Sequence, residues 1–132
     1  MQPIEQFMHD YFRDRTGFLQ ESVGGWETHV RKFFTSAYQP YDRQKTVADS
    51  EAERILSVTS ADGLTEIITS GFAGGRRRFR YRLSSVGERW RITSMEMECG
   101  ICDGSGKAKD GKSDCRLCKG AGWKLVGDKP DA

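Results

Sequence analysis

The chain has 132 residues, 36% hydrophobic and 11% aromatic, which suits one compact domain of modest core with a small appendage and excludes a disordered chain. Its formal charge of +2 excludes a globally basic nucleic-acid binder. No apolar run approaches the ~20 residues of a membrane-spanning helix, so no membrane is expected as a partner.

The first elements are helical. Ile4, Phe7, Met8, Tyr11 and Phe12 recur at the spacing of one helix face, and Pro3 suits the first turn. A second stripe runs through Trp26, Val30, Phe33, Phe34 and Ala37, opened by Gly24-Gly25 and closed by Pro40. Aromatic residues at this spacing read as core. His9 and His29 sit beside the stripes and read as flanking or satisfied groups. The segment from Gln39 to Ser50 is polar and reads as a connection with a short helical turn near its end.

The period then changes from helix to strand. Arg54–Ser60, Leu64–Phe72, Arg77–Ser84 and Arg89–Glu98 read as four strands. Ala61-Asp62-Gly63, Gly74-Gly75 and Ser85-Val86-Gly87 supply three tight turns. Short connections in succession predict an antiparallel meander, and two helices on it predict an α+β domain over residues 1–98. The order of elements, with Phe79-Arg80-Tyr81-Arg82-Leu83 followed by Trp90-Arg91-Ile92-Thr93-Ser94-Met95, resembles the nuclear transport factor 2-like superfamily, a cystatin-like cone. The resemblance implies a curved sheet, a conical pocket under the helices and, in many members, dimerisation through the outer sheet face. That superfamily holds enzymes, adaptors and ligand-binding modules, so the fold selects no function. Tyr11 and Tyr81 could line a pocket, but packing accounts for both. No Ser/His/Asp set, phosphate-cradling loop or carboxylate pair is legible, and no catalytic residue is predicted.

Within the third strand, Arg78, Arg80 and Arg82 alternate with Phe79, Tyr81 and Leu83, which places the arginines on one face and the apolar residues on the other. Arg89 and Arg91 would extend the cationic face. Two readings follow. The arginines pair with strand carboxylates such as Glu66, Glu96 and Glu98, or they form a surface for an anionic partner. The low net charge favours the first.

All four cysteines lie in a duplicated unit. Cys99-Gly100-Ile101-Cys102-Asp103-Gly104-Ser105-Gly106 recurs as Cys115-Arg116-Leu117-Cys118-Lys119-Gly120-Ala121-Gly122. Two C-x-x-C pairs supply the four thiolates of a closed tetrahedral zinc site, with Cys99, Cys102, Cys115 and Cys118 as ligands and one Zn2+ per chain. Gly104, Gly106, Gly120 and Gly122 let the backbone curl under the ion and aim N–H groups at the sulfurs. Residues 103–114 between the pairs hold almost nothing that packs, so metal binding must order them. An iron–sulfur cluster and a redox-active dithiol are the alternatives, and a disulfide would suit an exported chain. Met1 to Glu5 shows neither the basic nor the apolar region of an export leader, so a reducing, cytoplasmic setting is expected.

This repeat resembles the cysteine-rich zinc domain of the DnaJ cochaperones, at half size. The resemblance covers Cys99 to Gly122 and implies the same four ligands; the His-Pro-Asp tripeptide of a J-domain is missing from the sequence. A divalent ion with four thiolates carries −2, and Lys107, Lys109, Lys112, Arg116, Lys119 and Lys124 surround it. Residues 99–126 form the expected zinc-binding unit and residues 127–132 a polar tail. The expected function is a non-enzymatic binding or adaptor module with a structural zinc and a protein partner, which includes a second copy of the chain. Nucleic-acid binding through the arginine strand and the basic knuckle is the first alternative. A small-ligand pocket or enzyme of the cone type is the second.

Overall fold

A computed structural model describes residues 2–21, 26–35, 46–72 and 77–127. Three helices precede five strands: α1 (Ile4–Glu21), α2 (Trp26–Phe33), α3 (Val47–Ala52), β1 (Arg54–Ala61), β2 (Leu64–Phe72), β3 (Arg77–Val86), β4 (Arg89–Glu98) and β5 (Trp123–Leu125). The strands form one antiparallel sheet in the order β1-β2-β3-β4-β5. The α+β class and the four-strand meander agree with the sequence pattern. A fifth strand is an addition to the four strands expected.

The turns explain the meander. Asp62 and Gly63 both adopt positive φ, 54° and 78°, which is the backbone a two-residue hairpin requires. Gly87, at φ 65°, serves the β3–β4 turn in the same way. The expected Gly74-Gly75 turn, Ala37 and the polar stretch up to residue 45 lie outside the described residues. The short helical turn foreseen before Ser50 is α3. Thr46 caps it, its hydroxyl accepting from the Asp49 N–H at 3.1 Å.

Alternation decides which face of the sheet is covered. Phe79, Tyr81 and Leu83 of β3 are buried together with Ile67 of β2 and Ile92 and Met95 of β4. The α1 stripe Phe7, Met8, Tyr11 and Phe12 packs onto them, joined by Phe33 and Phe34 from the α2 end. Each such side chain contributes roughly 1.5–3 kcal/mol on burial. Tyr11 sits at the centre, with the rings of Phe12, His29, Phe33, Phe34 and Tyr81 between 5.2 and 5.7 Å from its own. The chain leaving α2 also reaches the sheet edge: Phe34 bridges Ile92 of β4, and the Thr35 N–H donates to the Ile92 carbonyl at 2.9 Å.

His29 is buried against this ring cluster. Burial pushes its pKa below the ordinary value, against the pull of Asp14. The neutral ring donates from Nδ1 to Asp14 Oδ2 at 2.8 Å, and Nε2 is buried without a partner. His9 is exposed, its ring edge-on to Phe12.

Candidate metal centre

β4 ends at Glu98 and the next residue is the first cysteine. From there the two repeats fold as copies of each other. The Cys99 N–H donates to the Gly122 carbonyl and the Cys115 N–H to the Gly106 carbonyl, both at 2.9 Å. The Ser105 N–H reaches the Cys102 carbonyl and the Ala121 N–H the Cys118 carbonyl, both at 3.1 Å. Asp103 and Lys119 take φ of 51° and 56°, Gly104 and Gly120 82° and 86°, Gly106 and Gly122 77° and 81°. Each of these features recurs with the two repeats exchanged, so the knuckles are related by a local two-fold axis.

The glycines are required by close approach as well as by φ. A Cβ on Gly106 would fall on the Gly120 carbonyl oxygen, and one on Gly122 would meet the Gly104 carbonyl oxygen at 2.6 Å. The knuckles therefore touch backbone to backbone, and this brings four sulfurs together. Cys99 and Cys115 Sγ are 3.8 Å apart, Cys102 and Cys118 Sγ 3.6 Å, and all four lie within 4.8 Å of one another. A tetrahedron with metal–sulfur bonds of about 2.3 Å has edges of about 3.8 Å, so the group can coordinate one metal ion. Cys99, Cys115 and Cys118 are buried and Cys102 is partly so.

Two backbone donors face the sulfurs. The Gly106 N–H points at Cys102 Sγ at 3.3 Å and the Gly122 N–H at Cys118 Sγ at 3.2 Å. Burial pushes the Cys118 thiol up, opposed by the Gly122 N–H and helped by the neighbouring Cys102, Cys115 and Cys99 thiols. Burial acts on Cys102 in the same sense. There the Gly106 N–H, the Cys118 and Cys99 thiols and the Gly104 N–H prevail and bring it down to about 7. Gly104 and Gly120 are counterparts: each lies against a carboxylate, Glu98 or Asp114, and each presents its carbonyl to a glycine of the other knuckle, Gly122 or Gly106.

The sheet grips this centre from several sides. After the second knuckle the chain returns as β5, pairing Trp123, Lys124 and Leu125 with Glu98, Met97 and Glu96 of β4. Arg77 Nη1 bonds Asp103 Oδ1 at 2.8 Å. Arg78 donates from Nε and Nη2 to Glu98 Oε2 at 2.9 and 2.7 Å, holding the buried carboxylate under Gly104. The Trp123 ring lies under both Arg78 and Arg80, with guanidinium carbons 5.6 and 4.6 Å from its centre.

The candidate anion surface is therefore internally neutralised along β3. Arg80 pairs with Glu96 at 2.8 Å, and Arg82 with Glu96 at 3.2 Å and Glu66 at 3.5 Å. Arg91 and Arg89 stand opposite Ser84 and Val86, which alternate onto the same face of β3 as Arg82, at the far end of the strand pair. Arg91 turns to the α2 end, donating to the Lys32 carbonyl at 2.6 Å.

One polar cluster escaped the sequence reading. Arg15 and Glu53 side chains are both 0% exposed and form an ion pair at 2.7 Å. Glu53 also accepts from Thr69 at 2.6 Å and Tyr81 at 2.5 Å, and Arg15 Nε donates to Ser50 at 2.9 Å. Gly71 makes room for Glu53: a Cβ there would stand 2.5 Å from the Glu53 Cα. The available signal is positional, since Arg15 lies four residues after Tyr11 and continues the α1 stripe.

Among the described residues no helix is long and apolar enough to cross a membrane. Compared with protein-family models, curated proteins and solved structures, the chain matches none.

Proposed function

We propose that the chain is a non-enzymatic binding module whose C-terminal unit is ordered by one structural zinc ion and which acts on a protein partner in a reducing, cytoplasmic setting. The observation that carries this reading is the two-fold cluster of four cysteine sulfurs. Four thiolates fill a tetrahedral shell, leaving no coordination position for water or substrate. Such an ion holds a shape and does no chemistry of its own. Sulfurs this close converge on a single ion, which favours zinc over a polynuclear iron–sulfur cluster.

The finer affinities belong to the same reading. Glycine-closed knuckles of this pattern are a half-size counterpart of the DnaJ zinc domain, covering residues 99–126. Helices over a meander sheet make residues 1–98 a variant of the nuclear transport factor 2-like cone. Where enzymes of that cone keep a buried acid or base, this chain has Glu53 clamped by Arg15, Tyr81 and Thr69. A carboxylate so fully engaged supports a structural role and no turnover.

The test is elemental analysis with a thiol count on protein purified without added metal. About one zinc per chain, with cysteines unreactive until a chelator is added, is the expected result. Iron in place of zinc, or a reversible disulfide, would overturn the structural-zinc reading and bring electron or thiol chemistry forward.

A further inference from the structure

The knuckle surface has two properties that the metal does not explain. The first is apolar. Ile101 and Leu117 are 71% and 46% exposed, among the few large hydrophobic side chains left open to solvent. They occupy the same place in each repeat, directly before Cys102 and Cys118, whose sulfurs are 3.6 Å apart. Two positions related by the local two-fold stand at equal height along its axis, so both aliphatic side chains flank the metal end of the unit.

The second property is charge. Among residues 99–127 the three carboxylates are all engaged. Asp103 holds Arg77 and Asp114 holds Lys107, while Asp110 closes its own turn by accepting from the Lys112 and Ser113 N–H groups. Lys109, Lys112, Arg116, Lys119 and Lys124 have no carboxylate partner among the described residues. Two of them, Arg116 and Lys119, adjoin Leu117 and Cys118 in sequence. The strand arginines, by contrast, are spent on Glu66, Glu96 and Glu98. Cations with no carboxylate partner among the described residues thus lie in the same unit as the paired aliphatic residues, and they outnumber the −2 of an ion with four thiolates.

Resting on the structural-zinc reading above, we infer that the metal end of the knuckle pair is a docking surface for an acidic polypeptide segment carrying aliphatic side chains. Ile101 and Leu117 would take the aliphatic groups, and Arg116 and Lys119 the carboxylates. Charge complementarity selects an acidic partner, and the aliphatic pair selects a polypeptide over a nucleic acid. Single-stranded nucleic acid is held by free aromatic platforms, and the one aromatic residue of this segment, Trp123, already lies under Arg78 and Arg80.

The experiment is panning of a random peptide library, displayed on phage, against the immobilised full chain after its zinc content has been measured. Enriched peptides are expected to be acidic and to carry two or more aliphatic residues. A synthetic copy of the leading peptide should bind the double variant Ile101→Ser, Leu117→Ser about tenfold more weakly, on the scale of a central interface residue. It should bind Arg116→Ser, Lys119→Ser more weakly and with less dependence on salt. Both variants change exposed side chains and should keep their zinc, which separates a lost surface from a lost fold. Enriched peptides without acidic residues, no enrichment over bare support, equal binding to the double variants, or displacement by an oligo-dT strand at lower concentration than by the peptide would each overturn the docking surface. A chain purified without zinc would overturn the structural-zinc reading and this surface together.

Discussion

Residues 4–98 and residues 99–122 become ordered by different means. The first region gathers twelve buried apolar side chains into one cluster. The second buries cysteines, while its two large aliphatic residues remain outside. At roughly 1.5–3 kcal/mol per side chain the first region has a large hydrophobic reserve. The second has none, and the structural zinc proposed for it would supply about 10–16 kcal/mol, as in comparable small units. The two regions also treat charge in opposite ways. The helix–sheet region seals an ion pair at 0% exposure, and the knuckles keep their cations in water. Glycine follows the same division. In the sheet Gly71 clears space for one side chain, whereas in the knuckles glycines let two backbones meet. Order can thus come from volume filled or from a point of coordination, and each leaves its own mark on the sequence.

The sharpest way to break this comparison is to remove a ligand. Cys102→Ser should abolish stoichiometric zinc binding and collapse the dispersed amide signals of residues 99–122, while the cooperative thermal transition of the helix–sheet region persists. The effect on the knuckles is of the order of the whole binding energy, about 10 kcal/mol. Global unfolding seen by circular dichroism would show that the two regions do not hold independently.

A smaller effect, confined to the other region, is expected from Glu53→Gln. It leaves the buried Arg15 without its counter-charge, at a cost of about 3–5 kcal/mol. Calorimetry should show the transition falling by at least ~10 °C with zinc content unchanged. An unaltered melting temperature would mean that the clamp contributes nothing to stability.

The smallest expected effect separates two glycines. Gly106→Ala meets both a left-handed φ of 77° and the Gly120 carbonyl, so zinc affinity in a chelator competition should drop more than tenfold. Gly63→Ala also has positive φ but open space around it, and should cost the sheet about 1 kcal/mol and the zinc site nothing. Equal effects on metal affinity would dissolve the distinction between turn glycine and contact glycine.

The sequence made some of this legible and hid the rest for physical reasons. Alternation in β3 is visible because Phe79, Tyr81 and Leu83 are apolar and the residues between them are charged. The ligand set is visible because coordination demands fixed spacing. β5 is hidden: three residues, Trp123–Leu125, carry too short a pattern, and their pairing with β4 depends on where the knuckles deliver the chain. Arg15 is hidden because a charged residue on a helix is ordinarily solvated, and its partner Glu53 is 38 residues away. The bulge opposite Arg82/Leu83 is hidden because it has no signature in residue type, although it sets which face Arg89 and Arg91 take.

The outer edge of β4 is covered in two pieces. Phe34 and Thr35 cover it at Ile92, and β5 covers it from Glu96 to Glu98. The first piece is anchored by Phe34 in the core, the second by Leu125 and Val126 against the core and by the Cys99–Gly122 bond at the base of the knuckles. Loss of the proposed ion would remove the second of those β5 anchors and loosen a specific row of strand donors and acceptors, while leaving the rest of the sheet intact. An uncovered edge of that kind is a template for adding further strands. Chelation should accordingly promote β-rich aggregates, which would give the proposed ion a part in solubility as well as in shape.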